Sequence, residues 1–182
     1  MKQGDTLSPT LFGIFINDLA KDIKKLKNGI QVNDENISIL LYADDIVLLA
    51  PDETSLQKQL DFLNGWCRRW RMSVNEDKSQ IVHFRPQRFA QTRFKFMLGT
   101  SNLKIVQTYK YLGVHLNEHL DFSVIADRLA SGASRALGLL RFKLRSLKEC
   151  RYSTFTKLYT SCVVPILDYG AAVWGYKFQA GA

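Results

Sequence analysis

Residues 37–50 read Ile-Ser-Ile-Leu-Leu-Tyr-Ala-Asp-Asp-Ile-Val-Leu-Leu-Ala, two β-rich apolar runs around a short acidic break. That is the pattern of a hairpin. A connection needing only conformation would favour Asn-Gly or Asp-Gly, whose residues accept positive φ. Asp44 and Asp45 instead place two like charges side by side, with no other charge in the stretch. At roughly 5 Å and an effective dielectric of about 20, their repulsion is about 3 kcal/mol. The pair is tolerable when fully solvated, and useful when a divalent cation neutralises it. Mg²⁺ takes one or two carboxylates and fills its other positions with substrate phosphates and water. Such a site serves two-metal phosphoryl transfer. Taken alone, the dipeptide also fits a solvated turn.

Working outward, Leu11, Phe12, Phe15, Leu19, Ile23 and Leu26 recur at helical spacing before Asn28-Gly29. This predicts a helix over about 9–27, with Ser8 as its cap and Pro9 in its first position. On the other side of the hairpin, Leu56, Leu60, Leu63, Cys67 and Trp70 repeat in alternating steps of four and three. They predict an amphipathic helix over about 53–71, opened by a Thr54–Gln57 capping box. Ser79–Phe84, Phe94–Leu98, Leu103–Val106 and Lys110–Leu116 read as strands, parted by residues 86–92 and by the Gly99-Thr100-Ser101 turn. From about residue 122 the period turns helical, through Phe122, Ile125, Leu129, Ala133, Leu137, Leu140, Leu144 and Leu147. A further helix over about 152–164 halts near Pro165. The change of period near residue 120 predicts two domains, 1–120 and 121–182.

Hydrophobic residues make up 46% of the chain and charged residues 23%, the make-up of a folded rather than a disordered protein. No apolar run approaches the roughly 18 residues of a membrane span, and no secretory h-region opens the chain. A soluble, intracellular protein is expected. Cys67, Cys150 and Cys162 are widely spaced with no CxxC, so buried free thiols are expected. His115 and His119 are four residues apart but lack the glutamate of HExxH, and solvated histidines are expected. No GxSxG or P-loop occurs. The formal net charge of +8 is uneven. Residues 1–64 hold 6 Lys against 10 acids, a balance of −4, and residues 65–182 hold 19 Lys or Arg against 7 acids, a balance of +12. A basic half fits a polyanionic partner, and fits a solvated face equally well.

The neighbours of the acidic hairpin resolve the matter. Gln3-Gly4-Asp5-Thr6-Leu7-Ser8-Pro9-Thr10-Leu11-Phe12 resembles motif B of the reverse transcriptases of non-LTR (LINE-like) retrotransposons. Tyr42-Ala43-Asp44-Asp45 resembles their metal-binding motif C. Asn75 with Lys78-Ser79, after a helix bearing Trp66 and Trp70, is similar to motif D. Tyr111-Leu112-Gly113 resembles the motif E hairpin, or primer grip. Residues 165–175, with Tyr169-Gly170 and Trp174-Gly175, resemble the end of the thumb. Five features in the family's order cover nearly the whole chain.

The resemblance implies an α+β fold: an antiparallel palm sheet with packed helices, then a helical thumb, the fingers being absent. It implies an RNA-directed DNA polymerase that adds nucleotides to a primer 3′-hydroxyl. Asp44 and Asp45 would hold Mg²⁺, for which Mn²⁺ can substitute. Lys78 would act near the triphosphate as a proton donor to the leaving group. Gln3, Gly4 and Ser8 would line the template and nucleotide site, and Tyr111, Leu112 and Gly113 would grip the primer. Arg128, Arg135, Arg141, Lys143 and Arg145, with Lys148 and Arg151, would contact the nucleic-acid backbone without reading sequence. The implied partners are an RNA template, a DNA primer and dNTPs, and the implied location is the nucleus. The family's third carboxylate, on motif A, lies upstream of motif B. A truncated chain, inactive by itself, is therefore expected, with motif A and fingers supplied by upstream sequence of the parent protein. The alternative is a non-catalytic palm–thumb remnant that binds RNA or RNA–DNA hybrid, needing the basic residues but not Asp44 or Asp45.

Overall fold

The computed structural model describes residues 7–145 and 151–175. Helix α1 spans Ser8–Lys25, and helix α2 spans Glu53–Trp70. Between them in sequence come β1 (Ile30–Val32), β2 (Glu35–Ile37), β3 (Ile39–Tyr42) and β4 (Asp45–Leu48). Short strands follow: β5 (Gln80–Ile81), β6 (Met97–Leu98), β7 (Ser101–Asn102) and β8 (Lys104–Ile105). The chain continues through β9 (Thr108–Tyr111) and β10 (Val114–Asn117) to helix α3, Ser123–Arg145. Helix α4 spans Tyr152–Cys162, and the single turns α5 (Val164–Leu167) and α6 (Ala171–Trp174) follow it.

The helices agree with the periodicity, but their starts differ in detail. Ser8 lies inside α1, whose cap position is Leu7 with no side-chain bond, so Ser8 is not the cap. The start of α2 is capped by Asp52, whose carboxylate accepts from the Ser55 N–H at 2.8 Å and from the Thr54 and Ser55 hydroxyls. The expected Thr54–Gln57 box does not form. Gln57 instead turns to β6, where its amide bonds both the N–H and the carbonyl of Met97.

The sheet departs most from expectation. Among the described residues the strands form five separate two-stranded ladders rather than one continuous antiparallel sheet. β1–β2, β3–β4, β6–β7 and β9–β10 pair antiparallel, and β5–β8 pair parallel. Strands of two to four residues make too few ladder bonds to recruit a third strand by backbone pairing alone. The stretch read as one strand, Lys110–Leu116, is a hairpin folded at Leu112-Gly113. The β1–β2 hairpin carried no strong alternating pattern and was not anticipated. The fold class remains α+β.

Two compact units divide the chain: residues 1–81 with 91–105, and residues 82–90 with 106–182. The β9–β10 hairpin thus groups with the helices that follow it. In the first unit, Ile16, Leu19 and Ile23 of α1 meet Leu60, Leu63, Trp66 and Cys67 of α2 over Ile39 of β3. Phe15 joins the two helices, its ring 5.3 Å from that of Trp66 and 5.2 Å from that of Trp70. In the second unit, a buried Arg85–Glu118 ion pair at 3.0 Å ties the segment 82–90 to the end of β10. No described helix is long and apolar enough to cross a membrane.

Candidate nucleotidyl-transfer site and nucleic-acid interface

The acidic hairpin forms as its sequence demands. Ile39 pairs with Leu48 and Leu41 with Ile46, and these four inward side chains join the core beside α1 and α2. The alternate positions, Leu40, Tyr42, Asp45 and Val47, face the other way, as the two-residue period of a strand requires. Leu40 and Tyr42 are exposed on that face, Tyr42 by 62%. Tyr42 pairs with Asp45, so Ala43 and Asp44 make the two-residue connection and Asp45 opens β4. Ala43 adopts φ +51°, the left-handed region, at a cost of about 1–2 kcal/mol for a residue with a Cβ. The core contacts of the four inward residues hold it there.

Both carboxylates are therefore adjacent, exposed and carried on a hairpin anchored by its inner face. Among the described residues neither is engaged by a hydrogen bond or an ion pair. Two unpaired hard oxygen donors on a fixed turn suit Mg²⁺, which completes its shell from substrate phosphates and water. No cluster of three or more His, Cys, Asp or Glu occurs among the described residues. To hold a metal ion, the pair would need phosphates or a further carboxylate to complete the shell.

The other predicted residues fall in several places. Gln3 and Gly4 lie outside the described residues, as does Lys148. Ser8 begins α1 and is half-buried. Lys78 sits exposed in the turn after α2, a turn closed by Asn75, whose side-chain oxygen accepts from the Lys78 N–H at 3.1 Å. Tyr111, Leu112 and Gly113 form the tip of the β9–β10 hairpin.

Arg128, Arg135, Arg141, Lys143 and Arg145 are all exposed on α3. Arg128 and Arg135, seven residues apart, share one stripe with Val124 and Ser131, whereas Arg145 lies about 100° and Arg141 about 140° round the helix from Arg128. Lys143 lies about 60° round the helix from Arg128, on the other flank of that stripe. Arg151 immediately precedes α4 and is exposed.

The histidines differ from expectation. Arg128 donates to His115 Nε2 on β10 at 2.9 Å. Because Arg can only donate, His115 is held neutral with its proton on Nδ1. Burial, followed by the positive charges of Arg128 and Lys110, pushes its pKa below the usual value. His119 Nδ1 donates to the Arg85 carbonyl at 2.8 Å, and its Nε2 lies 3.4 Å from Glu118. Both are half-buried, partnered side chains rather than solvated ones. Cys67 is buried and burial raises its thiol pKa, whereas Cys162 is exposed and Cys150 lies outside the described residues.

The family model described as reverse transcriptase (RNA-dependent DNA polymerase) matches residues 1–116, which contain every element of the acidic hairpin and the β9–β10 tip. The chain belongs to the reverse transcriptase family. It is similar to the RNA-directed DNA polymerases from mobile element jockey of Drosophila melanogaster, 26% identical, and of Drosophila funebris, 28% identical. Each alignment covers 95% of this chain and 19% of the relative. The Pol polyprotein from type-1 retrotransposable element R2 of Popillia japonica is 30% identical over 62% of this chain and 17% of its own length. This reverse transcriptase chain is thus of the non-LTR retrotransposon kind, and spans about a fifth of the length of its jockey relatives. No solved structure matches it significantly.

Proposed function

We propose that the chain forms the metal-binding palm and the thumb of an RNA-directed DNA polymerase that extends a primer on an RNA template. The observation that carries this reading is the Asp44-Asp45 turn: two carboxylates that no described residue engages, on an anchored hairpin, within a segment that matches the family. Asp44 and Asp45 would hold Mg²⁺, which when bound lowers the pKa of the primer 3′-hydroxyl and neutralises charge on the leaving pyrophosphate. The chain's own residues do the rest. Lys78 offers an ammonium for the triphosphate and a proton for the leaving group. Leu112 and Gly113 hold the primer end, and Arg128, Arg135, Arg141, Lys143 and Arg145 bind backbone phosphates of the hybrid. Residues Gln3, Gly4 and Ser8 line the nucleotide side, and a third carboxylate with fingers would come from upstream sequence of the parent protein.

The test is primer extension on an oligo-primed RNA template with Mg²⁺ and dNTPs. It compares this chain, its fusion to upstream family sequence carrying motif A, and that fusion with Asp44→Asn. Activity confined to the unmutated fusion is expected, with a loss of at least a hundredfold on Asp44→Asn. Extension by the Asp44→Asn fusion at the unmutated rate would remove Asp44 from the chemistry. A folded fusion that binds hybrid without extending it would favour the non-catalytic binding remnant.

A further inference from the structure

The tip of the β9–β10 hairpin is held by a part of the chain 57 residues away. Tyr111 pairs with Val114, leaving Leu112 and Gly113 as a two-residue connection. Their φ values are +47° and +83°, the positive pair of a type I′ turn. Rotating the peptide between them would convert this turn to type II′ without changing the strand register, and would reverse the Leu112 carbonyl and the Gly113 N–H. One contact opposes that rotation. The Tyr169 hydroxyl donates to the Leu112 carbonyl at 2.6 Å.

The rest of the contact is built around this bond. A Cβ added at Gly113 would lie 2.8 Å from the Tyr169 oxygen and 2.9 Å from its ring, so only glycine admits the ring there. Gly170, at φ +68°, backs onto β10 so closely that a Cβ would come within 2.9 Å of Val114 Cγ2. Trp174 Nε1 donates to the Tyr169 carbonyl at 2.8 Å and fixes the backbone that carries the tyrosine. The Tyr169-Gly170 corner between α5 and α6 is thus fitted to both sides of the hairpin tip.

We propose that Tyr169 is a positioning residue for the primer end: it locks the Leu112–Gly113 peptide in the one orientation that presents the hairpin tip to a recessed primer 3′ terminus. This rests on the polymerase reading above, in which that tip holds the primer. Tyr169 is half exposed, so its hydroxyl is not needed to complete a core, and Tyr169→Phe keeps the ring that fills the space beside Gly113.

The experiment uses the whole chain and two RNA–DNA hybrids of equal length, one with a recessed DNA 3′ end over a template overhang and one blunt. Affinity for each is read by fluorescence anisotropy, and amide exchange is followed across residues 111–114. Wild type should favour the recessed end. Tyr169→Phe should lose about fivefold of that preference, the worth of one neutral hydrogen bond. Its affinity for blunt hybrid should be unchanged and its exchange at Leu112–Val114 faster. An unchanged end preference in Tyr169→Phe would overturn the inference while leaving the polymerase reading intact. Equal weakening on both hybrids would also overturn it, by showing a merely structural role. A wild-type chain that binds neither hybrid would overturn the polymerase reading and this inference with it.

Discussion

Gln59 shows how much one side chain can decide at the base of the acidic hairpin. It is fully buried on α2, and its amide donates to the Leu49 carbonyl just past β4 at 3.0 Å and to the Asn28 carbonyl just past α1 at 2.9 Å. A single donor group thereby sets the level at which the hairpin leaves the two helices. Replacing Gln59 with Ala removes a donor shared by two carbonyls, and should cost about 1–3 kcal/mol of unfolding free energy. Urea denaturation reads this, and a loss below about 0.5 kcal/mol would show that the amide anchors nothing. No sequence signal singled it out, because a polar residue beside an apolar helical stripe usually faces water. Asp44 and Asp45 stood out as candidates for the opposite reason: two like charges between apolar strands conflict with local preference, and such conflicts point to where function is to be sought.

At the scale of elements, hydrophobic periodicity located α1, α2 and α3, each of which turns part of an apolar stripe inward, and Pro165 bounded the helix that became α4. It said less about where they begin. Asp52 caps α2 through three hydrogen bonds, led by the one from the Thr54 hydroxyl, and these lower its carboxyl pKa from 3.8 to about 2. The folded protein therefore binds this proton less readily than the unfolded chain. The stabilisation is fully present above pH 3.8 and is lost as pH falls through about 2. Asp52→Asn keeps a capping oxygen but cannot titrate. Its unfolding free energy should fall less steeply than wild type between pH 4 and pH 2, and parallel curves would mean the carboxylate is unperturbed. The short strands were harder to read than the helices. Met97–Leu98 and Ser101–Asn102 owe their pairing to the tight Gly99 turn and to Gln57 on α2 rather than to any alternating pattern.

Across the whole molecule, the charge asymmetry seen along the chain gains a location: Arg128 and Arg135 share one exposed stripe of α3. Binding of RNA–DNA hybrid should weaken steeply as salt rises. The Arg128→Ala, Arg135→Ala double variant should bind more weakly, with a plot of log affinity against log salt shallower by about 2. An unchanged slope would remove both side chains from phosphate contact. The ordered motifs, the helical stripes and the acidic turn were determined by the sequence itself, since each depends on residues near one another along the chain. From them followed the family, the α+β class and the two candidate carboxylates. Only the tertiary structure decided which distant groups meet: Gln59 with Leu49 and Asn28, Arg128 with His115, Arg85 with Glu118, and Tyr169 with Leu112. It also decided that the strands pair two by two. Local propensity and hydrophobic period act over a few residues, whereas a hydrogen bond spanning tens of residues depends on how every intervening element packs, and no local pattern encodes that.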